Sequence, residues 1–125
     1  MVSPAVVADG EGGLAEVNWY MHDAWFELAN VWFDREHGTV RIPLTAGDPQ
    51  GFVSGQLTIS AVESLDIRDH SGVGSYDVYE LRYVASKQTL ELEANIPLAL
   101  AMRVSHLHVE LEGLYVASGS YPPPK

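Results

Sequence analysis

The chain contains no cysteine. That excludes a disulfide framework, a thiolate metal site and a cysteine nucleophile, and it fits a reducing compartment. Basic residues are scarce too: seven Lys and Arg stand against seventeen Asp and Glu, a formal net charge of −10. The seven (Arg35, Arg41, Arg68, Arg82, Lys87, Arg103, Lys125) are scattered, with no two adjacent. Proteins that bind nucleic acid cluster such side chains against phosphates, and anionic membranes select for them too. Neither nucleic acid nor membrane is therefore expected as a partner. No apolar run approaches the roughly 18 residues of a membrane span. The opening MVSPAVVADGEGG has neither the basic stretch nor the long apolar run of a signal peptide, so the expected location is cytoplasmic.

What remains is 125 residues with a 46% hydrophobic fraction, enough for one domain with a sizeable core. The expected organisation is a single domain over 1–125. Its flexible ends are about 1–13, which hold three glycines and no apolar periodicity, and 118–125, the Pro-rich SGSYPPPK.

Between those ends the period is mostly two. In TLELEA, Leu90 and Leu92 alternate with Glu91 and Glu93, and in YDVYELRYV, Tyr79, Leu81 and Tyr83 oppose Glu80 and Arg82. With ASKQ as the turn between them, residues 76–96 read as a β-hairpin. In TVRIPL, Val40, Ile42 and Leu44 share a face, and Pro43 suggests an edge position or a strand end. The stretch QLTISAVESLDIRD keeps Leu57, Ile59, Ala61, Leu65 and Ile67 in phase around Glu63, as one bent strand or two short ones. Further on, Leu100, Met102 and Val104 occupy even positions while Leu107, Val109 and Leu111 occupy odd ones. A one-residue slip near Ser105–His106 marks either a β-bulge or a strand crossing between sheets.

Residues 18–34, NWYMHDAWFELANVWFD, hold six of the twelve aromatics and all three tryptophans. Trp25, Leu28, Ala29, Trp32 and Phe33 fit a helical stripe, whereas Phe26 and Val31 fall off it and the residue types favour strand. A strand from about Trp25 to Asp34, paired with Thr39–Leu44 across the DREHG turn, explains both sides of that turn together. The expected fold is all-β, with about six or seven mainly antiparallel strands in a sandwich or strongly bent sheet. The alternative is α+β with a helix at 15–33. Trp19, Trp25, Trp32 and Phe33 are expected in the core or at an interface.

Two constellations invite chemistry. His22-Asp23 spells the dyad of metal-dependent HD phosphohydrolases, but that chemistry requires an earlier His and none precedes residue 22. Capping of a strand start accounts for the pair. His106-x-His108 places two imidazoles on one strand face, roughly 7 Å apart, where they can share a divalent transition metal. With Glu112 they spell HxHxxxE, which resembles the first metal motif of the cupins. The resemblance lacks the preceding Gly, since Leu100 stands there, and lacks a second His motif downstream. As a polar strand face, His106, His108, Glu110 and Glu112 oppose Leu107, Val109 and Leu111 without any metal. Asp66, Asp69 and Asp77 do not have EF-hand spacing and suit turns.

The stretch WYMHDA…LANVWFDREHGTVRIPL, followed by an all-β remainder, resembles the start of several small uncharacterised bacterial domains. In these an aromatic-x-His-Asp opening precedes a strand, an acidic turn with Gly and a second strand. Some such families are immunity-type proteins that neutralise polymorphic toxins. The resemblance, over residues 19–44, implies a compact β domain and carries no catalytic residue. The functional expectation is a small acidic binding domain, immunity-like, directed at a basic protein partner or at its own copies as a homo-oligomer. The alternative is a cupin-like metal-dependent enzyme or binder using His106, His108 and Glu112.

Overall fold

A computed structural model describes residues 6–21, 24–48, 51–69 and 72–113. Ten strands form one sheet in which every pairing is antiparallel: β1 (Val6–Asp9), β2 (Ala24–Glu27), β3 (Trp32–Asp34), β4 (Thr39–Asp48), β5 (Gly51–Ile59), β6 (Val62–Asp69), β7 (Ser75–Val84), β8 (Thr89–Ala94), β9 (Leu98–Val104) and β10 (His108–Glu112). The order is β1-β10-β5-β4-β2-β7-β8-β9-β6, with β3 continuing the line of β2 along β4. One helix, α1 (Leu14–Met21), packs against β1 and β7.

The all-β expectation holds, with more strands than the six or seven expected. The excess has a physical origin: three expected strands each divide in two, and β1 forms in the segment expected to be a flexible lead-in. Trp25–Asp34 is interrupted by a 3-10 turn at Leu28–Asn30. Leu28 N–H donates to Gly74 O at 2.8 Å, which ends the β2–β7 ladder. The remaining piece, β3, pairs Trp32, Phe33 and Asp34 with Arg41, Val40 and Thr39, the hairpin read from the sequence. Gly38 closes its turn at φ +63, and a Cβ there would stand 3.1 Å from Val62 O.

The other two divisions are corners. β5 passes into β6 at Ser60–Ala61, where Ala61 adopts φ +56. β9 passes into β10 at Ser105–Leu107. The corners lie together: Ser105 N–H donates to Ala61 O at 3.0 Å and Ser60 N–H to His108 O at 3.1 Å. The slip between Val104 and Leu107 is thus a strand crossing from one layer to the other. On one side of the corners lie β1, β10, β5, β4, β2 and β3, and on the other β6, β9, β8 and most of β7.

The inner faces enclose one core. Ala8, Val40, Ile42, Leu44, Leu57, Ile59, Leu90, Leu92, Leu100, Met102 and Val109 are fully or almost fully buried. Residues 6–13, expected as a flexible lead-in, belong to this structure: Val6 and Ala8 enter the core from β1, and a 3-10 turn at Glu11–Gly13 leads into α1. The helix alternative over 15–33 is realised only to Met21. Leu14, Val17 and Met21, spaced i, i+3 and i+7, bury its inner stripe. The tail 118–125 lies outside the described residues.

Of the aromatics of 18–34, Phe26 alone is fully buried in the core. Phe26 is buried against Tyr76, with ring centroids 6.0 Å apart, but Trp25 faces outward on β2 and Trp32 is 52% exposed. Strand alternation decides this, since Ala24 and Phe26 take the inward phase and Trp25 and Glu27 the outward one. Phe33 packs at the rim of the core, and Trp19 is half-buried on α1.

Asn18 ties the helix to the sheet. β2 pairs with β7 only at residues 75–77. Beyond that point Asn18 takes the position of a strand: its Nδ2 donates to Leu81 O at 2.9 Å, and Leu81 N–H donates to its Oδ1 at 2.8 Å. Asn18→Ala removes both bonds from a half-buried site and should lower stability by about 2 kcal/mol in urea unfolding. Asn18→Asp restores only the acceptor and should remain well below wild type. Phe26→Ala should cost roughly 3–5 kcal/mol. Trp32→Ala should cost far less, which checks the assignment of the two aromatics to opposite faces.

Candidate interaction face

The outer face of β1-β10-β5-β4-β3 is built by register. Residues directly opposite on antiparallel strands share a face. One row crosses the layer as Val7, Glu110, Thr58, Arg41 and Trp32. Glu112, Gln56 and Pro43 form the next row, and Thr45 and Trp25 lie beyond it. Acids therefore stand at the β1–β10 end, uncharged polar side chains in the middle and two tryptophans at the far end. Arg41, the cation of the row, lies over the Trp32 ring at 4.8 Å, and Arg35 in the following turn lies over Phe33 at 5.1 Å.

At the acidic end three side chains meet. Asp9 ends β1 opposite His108. Its Oδ1 accepts from His106 Nε2 at 2.6 Å and sits 3.4 Å from His108 Nδ1. The two nitrogens carry protons in this arrangement, because an ionised carboxylate only accepts. His108 Nε2 also lies 3.8 Å from Glu110 Oε1. The hydrogen bond from His106, and then that from His108, hold the Asp9 carboxyl below the ordinary carboxylate range.

The sequence-derived set of His106, His108 and Glu112 is not drawn to one point. Asp9, and not Glu112, is the carboxylate that both imidazoles reach. Glu112 stands four residues from His108 along β10, roughly 13 Å by strand geometry. Among the described residues there is no group of three or more His, Asp or Glu side chains arranged to hold a metal ion. His22 and Asp23 lie outside the described residues. Asp69 accepts from Tyr76 Oη at 2.6 Å and from Gly72 N–H at 3.0 Å, as turn acids do. Asp34 works similarly in the β3–β4 turn: its Oδ2 lies 2.8 Å from His37 Nδ1, and that bond lowers its pKa.

Sequence reasoning missed Asp9, which lies in the segment expected to be flexible. No local pattern points to it, since its partner His106 is 97 residues away. A charge count by segment does point to this side of the molecule. The first 34 residues hold six acids and no Lys or Arg. In the fold, β1, the following turn, α1, β2, β5 and β10 contribute Asp9, Glu11, Glu16, Glu27, Glu110 and Glu112 and no Lys or Arg. Four of the seven bases, Arg68, Arg82, Lys87 and Arg103, lie on the opposite layer, where acids meet the three arginines. Arg82 Nη2 lies 2.6 Å from Glu93, Arg68 Nε 3.0 Å from Asp66, and Arg103 Nε 3.5 Å from Glu63. Arg68, Asp66 and Arg103 border a shallow trough of about 250 Å3 that Ala101 also lines.

No protein-family model, curated protein or solved structure matches the chain. No helix among the described residues is long and apolar enough to cross a membrane.

Because the folded pKa of Asp9 is depressed, its bonds to the imidazoles add stability above the ordinary carboxylate pKa of 3.8 and lose it as pH falls through the lower folded value. Asp9→Asn should flatten the acid limb of stability below about pH 4, read from urea midpoints at successive pH values. An unchanged limb would mean that this contact does not hold in solution.

Proposed function

We propose that the protein is a non-enzymatic binding domain, immunity-like in role, that engages a basic protein partner through the outer face of β1-β10-β5-β4. The observation that carries this reading is the segregation of charge. Acids with no Lys or Arg among them collect on β1, β10 and α1, while Arg68, Arg82 and Arg103 of the opposite layer sit in ion pairs. Like charges brought together by folding repel one another and weaken the compact state. A basic partner removes that repulsion and gains long-range attraction during its approach. Trp32 and Trp25, at the far end of the face, suit the role of aromatic anchors beside the acidic steering region. A cytoplasmic, bacterial setting belongs to the same reading, supported by the cysteine-free composition and by the resemblance of residues 19–44.

Capture from a bacterial lysate at low salt should recover a basic protein. Its association rate should fall at least about tenfold between low and high ionic strength. Reversing Glu110 and Glu112 to Lys should slow association by a similar factor, and Arg82→Glu on the opposite layer should leave it unchanged. Recovery of no partner, or of one indifferent to both salt and reversal, overturns the reading.

A further inference from the structure

β6 is an eight-residue strand at the end of the sheet, and among the described residues β9 is its sole strand partner. Its backbone groups can be assigned to sides. Val104 N–H donates to Gln88 O at 2.9 Å, so the even residues of β9 turn toward β8 and Ala99, Ala101 and Arg103 turn toward β6. Their partners on β6 are Arg68, Asp66 and Ser64. Leu65 and Ile67 therefore direct their N–H and C=O groups to the open edge. Proteins commonly guard such an edge with an inward-pointing charge. Here the inward phase at the centre of the strand is Leu65 and Ile67, and Ile67 stands 45% exposed, opposite the fully buried Leu100.

We propose that β6 pairs antiparallel with β6 of a second copy of this chain, about a two-fold axis at Ile67. The charge pattern favours a second copy as the partner, and this register over those centred on the neighbouring Asp66 or Arg68. An antiparallel two-fold pair centred on Ile67 sets Asp66 opposite Arg68 of the second copy, and Arg68 opposite its Asp66. Both are exposed on the outer face and already form an ion pair within the strand, 3.0 Å apart. Centring on Asp66 places two aspartates face to face, and centring on Arg68 places two arginines together. The Ile67 register also makes Ile67 a hydrogen-bonded pair with its own copy, using the edge N–H and C=O, and brings the two exposed Ile67 side chains into contact. A strand that is self-complementary in charge, hydrogen bonding and apolar surface fits a second copy of itself. This edge is separate from the acidic face, so a result at one leaves the other standing.

Sedimentation of the full chain across concentrations up to about 1 mM tests the pairing. Wild type is expected to form a concentration-dependent dimer. Asp66→Arg and Arg68→Asp should each weaken it about tenfold or more, since each places two pairs of like charges across the axis. The double variant should restore it, and so should a one-to-one mixture of the two single variants, in which every cross-strand pair is again opposite in sign. Ile67→Lys, which leaves the ion pair intact, should be monomeric with an unchanged circular dichroism spectrum. A wild type that stays monomeric throughout, a dimer that persists in Ile67→Lys, or a mixture that fails to reassociate overturns the proposal.

Discussion

The strands among the described residues bury one side each, and a one-sided sheet of ten such strands has to fold over to do so. Two bent ribbons meet that requirement. β5 continues into β6, and β9 into β10, side by side, so each ribbon runs through both layers. The carbonyls of Ala61 and His108 accept from Ser105 and Ser60 at the bend, and these bonds hold the two corners in register. The positive φ of Ala61 is a strain that the surrounding packing sustains. The remaining strands take their places from this spine: β4 beside β5, β1 beside β10 and β8 beside β9.

That dependence explains what was legible in the sequence. Alternation is a local property, so the β8 strand, the β7–β8 hairpin with its ASKQ turn, and the β3–β4 hairpin could be read directly, except at Tyr79, which the irregularity between Val78 and Glu80 leaves 62% exposed. The slip from Val104 to Leu107 also exposed the second corner, because crossing a corner changes which parity faces inward. The first corner left a weaker trace. Ile59 and Val62 are both buried although they differ in parity, but Leu65 and Ile67 resume the odd phase after the irregularity between Val62 and Ser64. The helix was legible only as part of an over-long alternative. Its three-residue inner stripe ends at Met21, and the strand phase begins three residues later at Ala24.

Tryptophan shows where composition misleads. Large aromatics are expected inside, yet the core is aliphatic, with Phe26 and Tyr76 as its fully buried rings. The 3-10 turn at Leu28–Asn30 shifts the phase by one, so that Trp25 and Trp32, one odd and one even, emerge on the same outer face. No single-period template predicts that outcome. Asp9 was hidden for a different reason. Its carboxylate is defined by imidazoles at the far end of the chain, and only the β1–β10 pairing makes them neighbours.

Among the described residues the same spine leaves the sheet with two open edges, and they are treated differently. Because the ribbons cross the layers side by side, β1 lies on the β10 flank and β6 on the opposite flank, so the sheet cannot close through a β1–β6 pairing. On the β1 side, α1 packs against the strand, Gly10 N–H donates to Leu107 O at 2.9 Å, and His106 and His108 clasp Asp9 at its end. That strand is four residues long, short enough to offer little to another chain. β6 is twice that length, with an exposed Ile67 and charges that are complementary under reversal of the strand. The chain protects one end of its sheet with a helix and a carboxylate, and leaves the other in a form that matches itself. A fold built on two bent ribbons thus separates its acidic β1–β10 end from its β6 edge.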